Sequence, residues 1–508
     1  MSAAEAVGQM DLSLTQKIAQ QFRESDTVLA LSKATDWLNT ISTTPSSAIE
    51  QRFENLDLLD GATRKHQKQI SDDYLALTQT NRKQEKLLWD TAQGYWVALS
   101  NAYLGCITQV MTQSTGLGKF KNRLPVLAAR STRAVAMQIK WVSHRFGLVD
   151  SSVWGRLALC QRFAESYNID SRVVTLYLSN QTKTSVNQEF LRALMLSVSS
   201  TDSLSVMEQE IADRWIEHFA ALFHLGRNAN DGFNLYFDLD APLPPRRLAD
   251  KQVTGAGIRF FDASDALPFI QEYLDSTDKT GATPAPFRLP KGGERKHMVN
   301  VLEHLAMHWD KEPPARNYDR RQTAMTFEIR HEYPAVRNAL AGDEPGELDF
   351  TGRIQKPEFW PIDNLGRGGY RAIVPKGRRG WLRLGALVAM RVEYHKAWSV
   401  AVIRRVETDE LQQRKVGVRV IARKPVAAMM HSNARAGSTF KPVPGILLNT
   451  RPSRDGGVHV LLRPGTFTLK EDIFVTFGPD QQKWLLHPSR LVEAAVDFEW
   501  VRYTIALR

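Results

Sequence analysis

The chain has 508 residues, with an apolar fraction of 43% and a charged fraction of 24%, as in ordinary globular proteins. This length exceeds what one hydrophobic core supports, so two to four domains are expected. Only two cysteines occur, which excludes a disulfide framework and indicates a reducing, cytoplasmic setting. Neither a secretory signal nor an apolar stretch of about 18 residues is present, so no membrane span is expected.

The positive charge is concentrated in the C-terminal half. The formal net charge is +11, and the segment Phe287–Arg508 contains 37 basic and 24 acidic residues. The preceding residues, 1–286, are close to neutral, with a net charge of −2. This asymmetry indicates an anionic partner for the C-terminal half. Nucleic acid, an anionic membrane surface and a small nucleotide all remain open.

Residues 1–230 are predicted to form an all-α helical domain. Apolar side chains recur at three- and four-residue steps from Leu88 to Tyr103 and again from Ile211 to Leu222. Ser205 and Glu208 have the spacing of a capping box ahead of the second stripe. Further helices are predicted over 124–146, 154–167 and 188–196. We interpret the aromatic stripes as core rather than as cofactor contacts.

A short segment of strands and one helix is predicted over 231–274. Alternation with a period of two predicts a strand over 233–239, and a second strand (258–261) and a helix (264–273) follow. Asp238 and Asp240 lie at the end of the first strand. We interpret them as a strand end and turn, with a metal-binding acidic pair as the alternative.

The segment 275–294 has the composition of a linker and is predicted to be a hinge. The segment 295–321 after it is predicted to contain a helix, running to Trp309, and an arginine-rich loop. His304 and His308 are four residues apart and share a face of this helix, but no third ligand has a suitable spacing. Metal binding is therefore not expected here.

From about Thr323 onward, short apolar runs separated by glycine, proline and charged turns predict β structure. The predicted strands are 326–330, 370–374, 387–394, 398–406, 417–423, 459–462, 473–477, 484–486 and 498–505. We expect an antiparallel β-barrel over 322–430 and an added β unit over 431–508. The predicted fold is therefore a multi-domain α+β protein, with an all-α domain followed by the barrel.

A glycine-rich turn precedes one of the first predicted strands. Gly366, Gly368 and Gly369 give a backbone that another group can approach closely, and Arg367 and Arg371 place positive charge beside it. A further basic cluster consists of Lys376, Arg378 and Arg379. Bare backbone beside guanidinium groups suits a phosphate-bearing ligand. The alternative is a β-hairpin turn next to a solvated basic face.

Two motifs around this turn resemble those of PilZ domains. Asn364-Leu-Gly-Arg-Gly-Gly369 is similar to the [D/N]xSxxG motif, and Arg316-Asn-Tyr-Asp-Arg320, followed by Arg321, is similar to the RxxxR motif. PilZ domains are six-stranded barrels that bind the bacterial dinucleotide cyclic di-GMP. The resemblance implies two sets of ligand-binding residues, an arginine set of Arg316, Arg320 and Arg321 and a barrel-surface set of Asn364, Gly366, Arg367 and Gly369.

The second motif departs from the PilZ pattern, because Gly366 stands where the motif has serine. A serine hydroxyl would add one hydrogen bond, which contributes about 0.5–1.5 kcal/mol. The resemblance therefore implies either a weakened site or a barrel that has lost its ligand. Arg330 is a further candidate for the arginine set.

The wider chain resembles FimW-type cyclic di-GMP effectors, in which a long helical region precedes the barrel. The similar segments include Trp309–Arg316, Gly380–Gly385 and Trp398–Arg405. The resemblance implies a non-enzymatic receptor that needs no cofactor and whose helical domain binds an unknown protein partner. It also implies a role in surface attachment, type IV pilus or motility control, in the cytoplasm, with recruitment to a cell pole or a membrane-associated machine.

Two other functions remain open. The basic C-terminal half, with interleaved aromatic residues, favours a nucleic-acid-binding protein. A barrel that has lost its ligand would instead make the protein an adaptor. An enzyme is not expected, because no GxSxG, HExxH, Walker A or Cys–His arrangement occurs in a supporting context.

Overall fold

The computed structural model describes most of the chain. The described residues are 12–43, 48–77, 82–112, 117–177, 183–229, 232–248, 253–280, 287–312, 321–322, 325–342, 357–366, 369–375, 380–392, 395, 397–409, 413–432, 442–452, 456–467, 472–478 and 480–505. The chain divides into two compact units, Met1–Ala315 and Arg316–Arg508.

The first unit is mainly helical, as predicted. Its helices are α1 (Leu12–Glu24), α2 (Thr27–Thr43), α3 (Ile49–Leu77), α4 (Arg82–Thr112), α5 (Leu124–Ser143), α6 (Ser151–Ser166), α7 (Val186–Val198), α8 (Val206–Phe219), α9 (Leu267–Thr280) and α10 (Arg295–Trp309). The predicted stripe from Leu88 to Tyr103 lies on α4, and its members Ala92, Tyr95 and Leu99 are buried in the helical core. None of the described helices is long and apolar enough to cross a membrane.

Capping boxes fix the starts of two core helices. At α8 the Ser205 hydroxyl accepts from the Glu208 amide at 3.3 Å, and the Glu208 carboxylate accepts from the Ser205 amide at 2.9 Å. This box was predicted from its spacing. A second box, formed by Ser185 and Gln188 at the start of α7, has the same reciprocal pattern. Each box satisfies two backbone N–H groups that the helix itself leaves unpaired.

Charged side chains are buried between α5, α7 and α8. Asp213 is 2% exposed and accepts from Arg192 Nε and Nη2 at 2.9 and 2.7 Å. Lys140 pairs with the same carboxylate at 2.8 Å and with Glu210 at 2.6 Å. The mutual attraction of these groups offsets the cost of removing them from water only while every partner is present. Removing any one of these charged groups is therefore expected to destabilise the packing of the three helices.

Two small antiparallel sheets belong to the first unit. The four-stranded sheet has the order β3-β6-β4-β5. The strands of the two sheets are β1 (Val174–Thr175), β2 (Lys183–Thr184), β3 (His224–Gly226), β4 (Leu235–Asp238), β5 (Arg246–Arg247) and β6 (Ile258–Asp262). Arg259 of β6 donates to the Glu165 carboxylate of α6 through Nε at 2.8 Å and also through Nη2. This largely buried pair attaches the sheet to the helices.

The segment 275–294 contributes to the core of the first unit where it is described. Helix α9 continues to Thr280, and the Phe287 ring stacks on Trp215 with 3.9 Å between ring centroids. Helix α10 then buries one face in the same core, including Trp309. The compact units divide at Ala315, later in the chain than the predicted hinge, because these side chains bury apolar surface against the helices.

The second unit begins with a closed six-stranded antiparallel barrel, called the first barrel. Its strands are β8 (Thr326–His331), β9 (Glu358–Gly366), β10 (Gly369–Val374), β11 (Leu387–Val392), β12 (Ser399–Thr408) and β13 (Arg414–Ala422), and the short β7 (Arg321–Gln322) also pairs with β9. The order is β9-β10-β13-β12-β11-β8, and β8 pairs back to β9. The predicted barrel is confirmed. Strand β9 is missing from the sequence prediction because Pro361 and Gly366 disfavour a strand locally.

The predicted β unit is itself a second closed barrel. Its strands are β14 (Val426–Ser432), β15 (Val443–Leu447), β16 (Gly457–Leu462), β17 (Ile473–Phe477), β18 (Gln482–Ala494) and β19 (Glu499–Ile505), in the order β14-β15-β16-β19-β18-β17. It begins at Val426, slightly before the predicted boundary at residue 430. The sequence analysis missed β15 because Pro444 and Gly445 interrupt its apolar pattern.

The two barrels of the second unit pack against each other. Helix α11 (Tyr333–Ala341) contributes Tyr333, whose hydroxyl lies 3.1 Å from the Pro444 carbonyl oxygen and 3.0 Å from that of Leu461. Arg404 of β12 donates to Glu493 of β18 at 2.8 Å. Apolar side chains from both barrels form one shared cluster.

Candidate ligand site on the first barrel

The glycine-rich turn joins β9 to β10. Gly366 pairs with Gly369, so a hairpin connects the two strands. Its two linking residues, Arg367 and Gly368, lie outside the described residues, as do the basic residues 376–379. The glycine-rich turn is therefore a β-hairpin, which the sequence analysis gave as the alternative to a phosphate-binding turn, and its first strand begins at Glu358.

The pairing of β7 with β9 places Arg321, the residue that follows the first predicted motif, beside the second motif. Arg321 lies opposite Leu365, and Gln322 lies opposite Asn364, in antiparallel register. Arg321, the last member of the predicted arginine set, is therefore one strand away from the second motif. Arg316 and Arg320 lie outside the described residues, so their positions remain a prediction.

A β-bulge reshapes the strand at the second motif. Asn364 pairs with Arg371, but Ile362 pairs with Ala372, which leaves Asp363 as an extra residue on β9. Bulges of this kind bend the strand and redirect side chains beside functional sites. The Asn364 side-chain oxygen is buried and accepts no hydrogen bond from the described residues. An unsatisfied buried acceptor costs about 1–3 kcal/mol, so a donor supplied by a ligand would relieve that cost.

Gly369 has a structural reason to be glycine. A Cβ atom at this position would overlap the Val418 carbonyl oxygen on the neighbouring strand β13. Glycine therefore lets β10 approach β13 closely. The last position of the predicted motif supports the barrel itself, whatever it contributes to a ligand.

Ion pairs occupy the surface next to Asn364. Arg371 pairs with Glu407 of β12, and its Nε lies 3.5 Å from the Asp363 carboxylate. In the strand pairing, Gly417 of β13 lies opposite Arg371 of β10 and opposite Arg405 of β12. Because Gly417 has no side chain, the Arg371 side chain can reach Glu407 across β13. These groups are 25–51% exposed, so each pair adds little to stability. The Arg371 charge is nevertheless matched by two carboxylates.

Arg330 does not belong to the group of ion pairs next to Asn364. It lies within β8, is 8% exposed and pairs with Glu328 at 2.7 Å. Arg391 of β11 binds the same carboxylate at 2.7 Å. Burial and the Arg391 charge lower the pKa of Arg330, although Glu328 opposes them. We therefore assign Arg330 to a structural ion pair and not to the arginine set.

The remaining candidate residues have local structural partners. His304 Nε2 lies 2.6 Å from the Ser199 carbonyl oxygen, and burial lowers its pKa. Asp238 accepts from the Asp240 amide at 2.8 Å, and Asp240 pairs with Arg162 at 3.1 Å. In the part of the chain that the structure describes, no group of three or more His, Cys, Asp or Glu side chains could hold a metal ion.

Comparison with known protein families identifies the helical region. Residues 13–229 match the family model described as "Cyclic-di-GMP receptor FimW, N-terminal domain". This region is therefore similar to the N-terminal domain of that receptor family. The match confirms the predicted FimW-like grouping for this part of the chain, and it extends from α1 through α8 to β3. No curated protein and no solved structure matched the chain.

The region that matches the FimW family model and the predicted ligand motifs lie in different units. The family match ends at residue 229, whereas Asn364 and Arg321 belong to the first barrel. The resemblance to PilZ motifs identified these residues in the sequence. Sequence analysis missed Glu407 and Arg419, which β12 and β13 place beside the motif. The spacing of residues along the chain does not determine which residues of neighbouring strands lie opposite each other.

Proposed function

We propose that this protein is a non-enzymatic receptor for cyclic di-GMP, with the ligand bound at a PilZ-like first barrel. One observation supports the proposal: β7 pairs with β9, so Arg321, which directly follows the arginine motif, lies beside Leu365 and Asn364 of the second motif. Guanidinium groups bind phosphate through paired, charge-assisted hydrogen bonds. The description of the matched FimW family, a cyclic di-GMP receptor, supports the same ligand class.

The first prediction concerns the arginine set. Replacing Arg316 and Arg320 together by alanine should eliminate cyclic di-GMP binding, because both charge-assisted contacts are lost. Titration calorimetry of the purified full chain measures this, with GTP and short DNA as comparison ligands. A matched control replaces Arg451 and Arg490, two exposed arginines of the second barrel. Wild-type affinity in the Arg316/Arg320 variant would disprove the assignment, and selective DNA binding would favour the nucleic-acid function.

The second prediction concerns Gly366. Replacing it by serine should strengthen cyclic di-GMP binding by up to about tenfold, because the hydroxyl restores one hydrogen bond. Gly366→Ala is the matched control, since it adds the Cβ atom without the hydroxyl. Equal affinities for the serine and alanine variants would show that the hydroxyl makes no contact with the ligand.

We also propose that the helical unit binds a protein partner and that the response serves surface attachment, type IV pilus or motility control. This role is assigned to the cytoplasm, with recruitment to a cell pole or a membrane-associated machine. Cys106 and Cys160 are buried free thiols, which suits a reducing compartment. Ligand binding changes output only if it favours one partner-binding arrangement. Partner capture that does not change with cyclic di-GMP would remove this part of the proposal.

A further inference from the structure

The strand β13 brings an additional arginine to the candidate site. Arg419 lies directly opposite Gly369 in the antiparallel pairing of β10 with β13. Its side chain is exposed and forms no ion pair with the described residues. Neither sequence motif contains this residue, so only the barrel's register places it beside the hairpin.

On one side of Arg419, the two opposing positions on β10 and β9 carry no side chains. Gly369 pairs with Arg419 on one side and with Gly366 on the other. Directly opposite residues in antiparallel strands project to the same face of a sheet. Because both glycines lack side chains, neither of these two positions places a side chain beside Arg419, whereas Val402 of β12 lies opposite Arg419 on the other side.

Unlike Arg419, the other two arginines on this surface, Arg371 and Arg405, already lie beside carboxylates. Arg371 is held by Glu407 and Asp363, and the Arg405 Nε lies 3.7 Å from Glu407. An incoming anion must compete with these carboxylates for Arg371 and Arg405. Arg419 has no such competitor among the described residues, so its charge is available to a ligand without breaking an existing pair.

We propose that Arg419 is an additional ligand-binding residue of the cyclic di-GMP site and binds one of the two phosphodiester groups. A planar guanidinium matches the geometry of phosphate oxygens and binds two of them at once. The glycine row lets the ligand approach the backbone closely enough to reach it. This inference rests on the proposed function, because it names a further residue of the same site.

The test is calorimetric titration of the full chain with cyclic di-GMP. Arg419→Ala should weaken binding about 10- to 100-fold, as expected for loss of hydrogen bonds to a charged group. It should also reduce the salt dependence of binding, because one fewer charge pair is screened. Arg419→Lys keeps the charge but loses the bidentate geometry and should give an intermediate affinity.

Arg490→Ala provides the matched control, since Arg490 is an exposed strand arginine on the second barrel. It should bind as the wild type does. If the wild type binds but Arg419→Ala stays within twofold of it, with unchanged salt dependence, the inference is overturned and the proposed function stands. If the wild type itself does not bind cyclic di-GMP, both fail.

Discussion

Replacing Asp213 by asparagine is expected to destabilise the helical unit by about 3–5 kcal/mol, the usual cost of removing one partner from a buried ion pair. Asparagine keeps the shape of the side chain but leaves the Arg192 and Lys140 charges without their shared carboxylate. Denaturant unfolding should show a lower midpoint with an unchanged slope.

The control for this prediction is Asp265→Asn in the same unit. The Asp265 carboxylate is 63% exposed and pairs with His224 at 2.7 Å. Exposed pairs contribute about 0–1 kcal/mol, so the control should unfold close to the wild type. Equal effects of the two substitutions would show that burial does not determine the cost.

The pH dependence of the Asp213 effect has a definite sign. Burial raises the pKa of Asp213, but Arg192 and Lys140 outweigh burial and hold that pKa well below its usual range. The stabilisation is therefore complete above the unfolded pKa of about 3.9 and is lost as the pH falls toward the folded value. The stability difference between wild type and Asp213→Asn should stay constant from about pH 7 to 5 and shrink only below about pH 4. A difference that disappears by about pH 6 would contradict the role of Asp213.

Replacing Gly369 by alanine should destabilise the second unit by about 3 kcal/mol, at the upper end of the usual cost of overpacking. The new methyl group would overlap the Val418 carbonyl oxygen, which is backbone and paired within the barrel. Relief requires β10 and β13 to separate, which weakens the sheet. Unfolding of the ligand-free chain followed by tryptophan fluorescence measures the loss.

Gly445→Ala is the matched control for overpacking in a strand of the same unit. The methyl group added there would meet the end of the Met430 side chain, which can rotate away. Its cost should therefore be clearly smaller than that of Gly369→Ala. If both variants unfold at the same midpoint, the rigid neighbour at Gly369 has no special effect, and the glycine at 369 would have to be explained by ligand binding.

The ion-pair surface beside Asn364 has the residues to discriminate among anions. Glu407 balances the charge of Arg371 and repels an approaching phosphate, while Arg419 attracts it. An anion gains most where backbone without side chains lies beside a guanidinium that has no ion pair among the described residues. This difference supports our proposal that a small phosphate-bearing ligand binds at the glycine hairpin and not elsewhere in the basic half of the chain.

The sequence analysis recovered features that depend on neighbours along the chain. The stripe of α4 follows from side chains three and four residues apart, and the Ser205–Glu208 box follows from a fixed spacing at a helix start. The hairpin at Gly366–Gly369 has a similar local basis in its glycine-rich turn. Each of these features was therefore predictable from a short window of sequence.

The segment 275–294 shows that linker-like composition does not prevent a side chain from packing in a core. Thr, Gly and Pro between 275 and 294 favour a linker, yet Phe287 stacks on Trp215, which lies far away in the sequence. Strand β9 shows the same limit, because Pro361 and Gly366 disfavour a strand while partners on both sides stabilise one. In both cases tertiary packing outweighs the local preference.

The sequence by itself determined the helical first part, the β-rich second part and the two motifs with their arginines and glycines. Only the tertiary structure decided that the second β unit closes into its own barrel and that Arg321 lies beside the Asn364 segment. It also decided that Arg419 faces Gly369 and that Arg330 belongs to a buried ion pair. The physical reason is that helix periodicity and caps are local, whereas strand partners and register are fixed by contacts between distant segments.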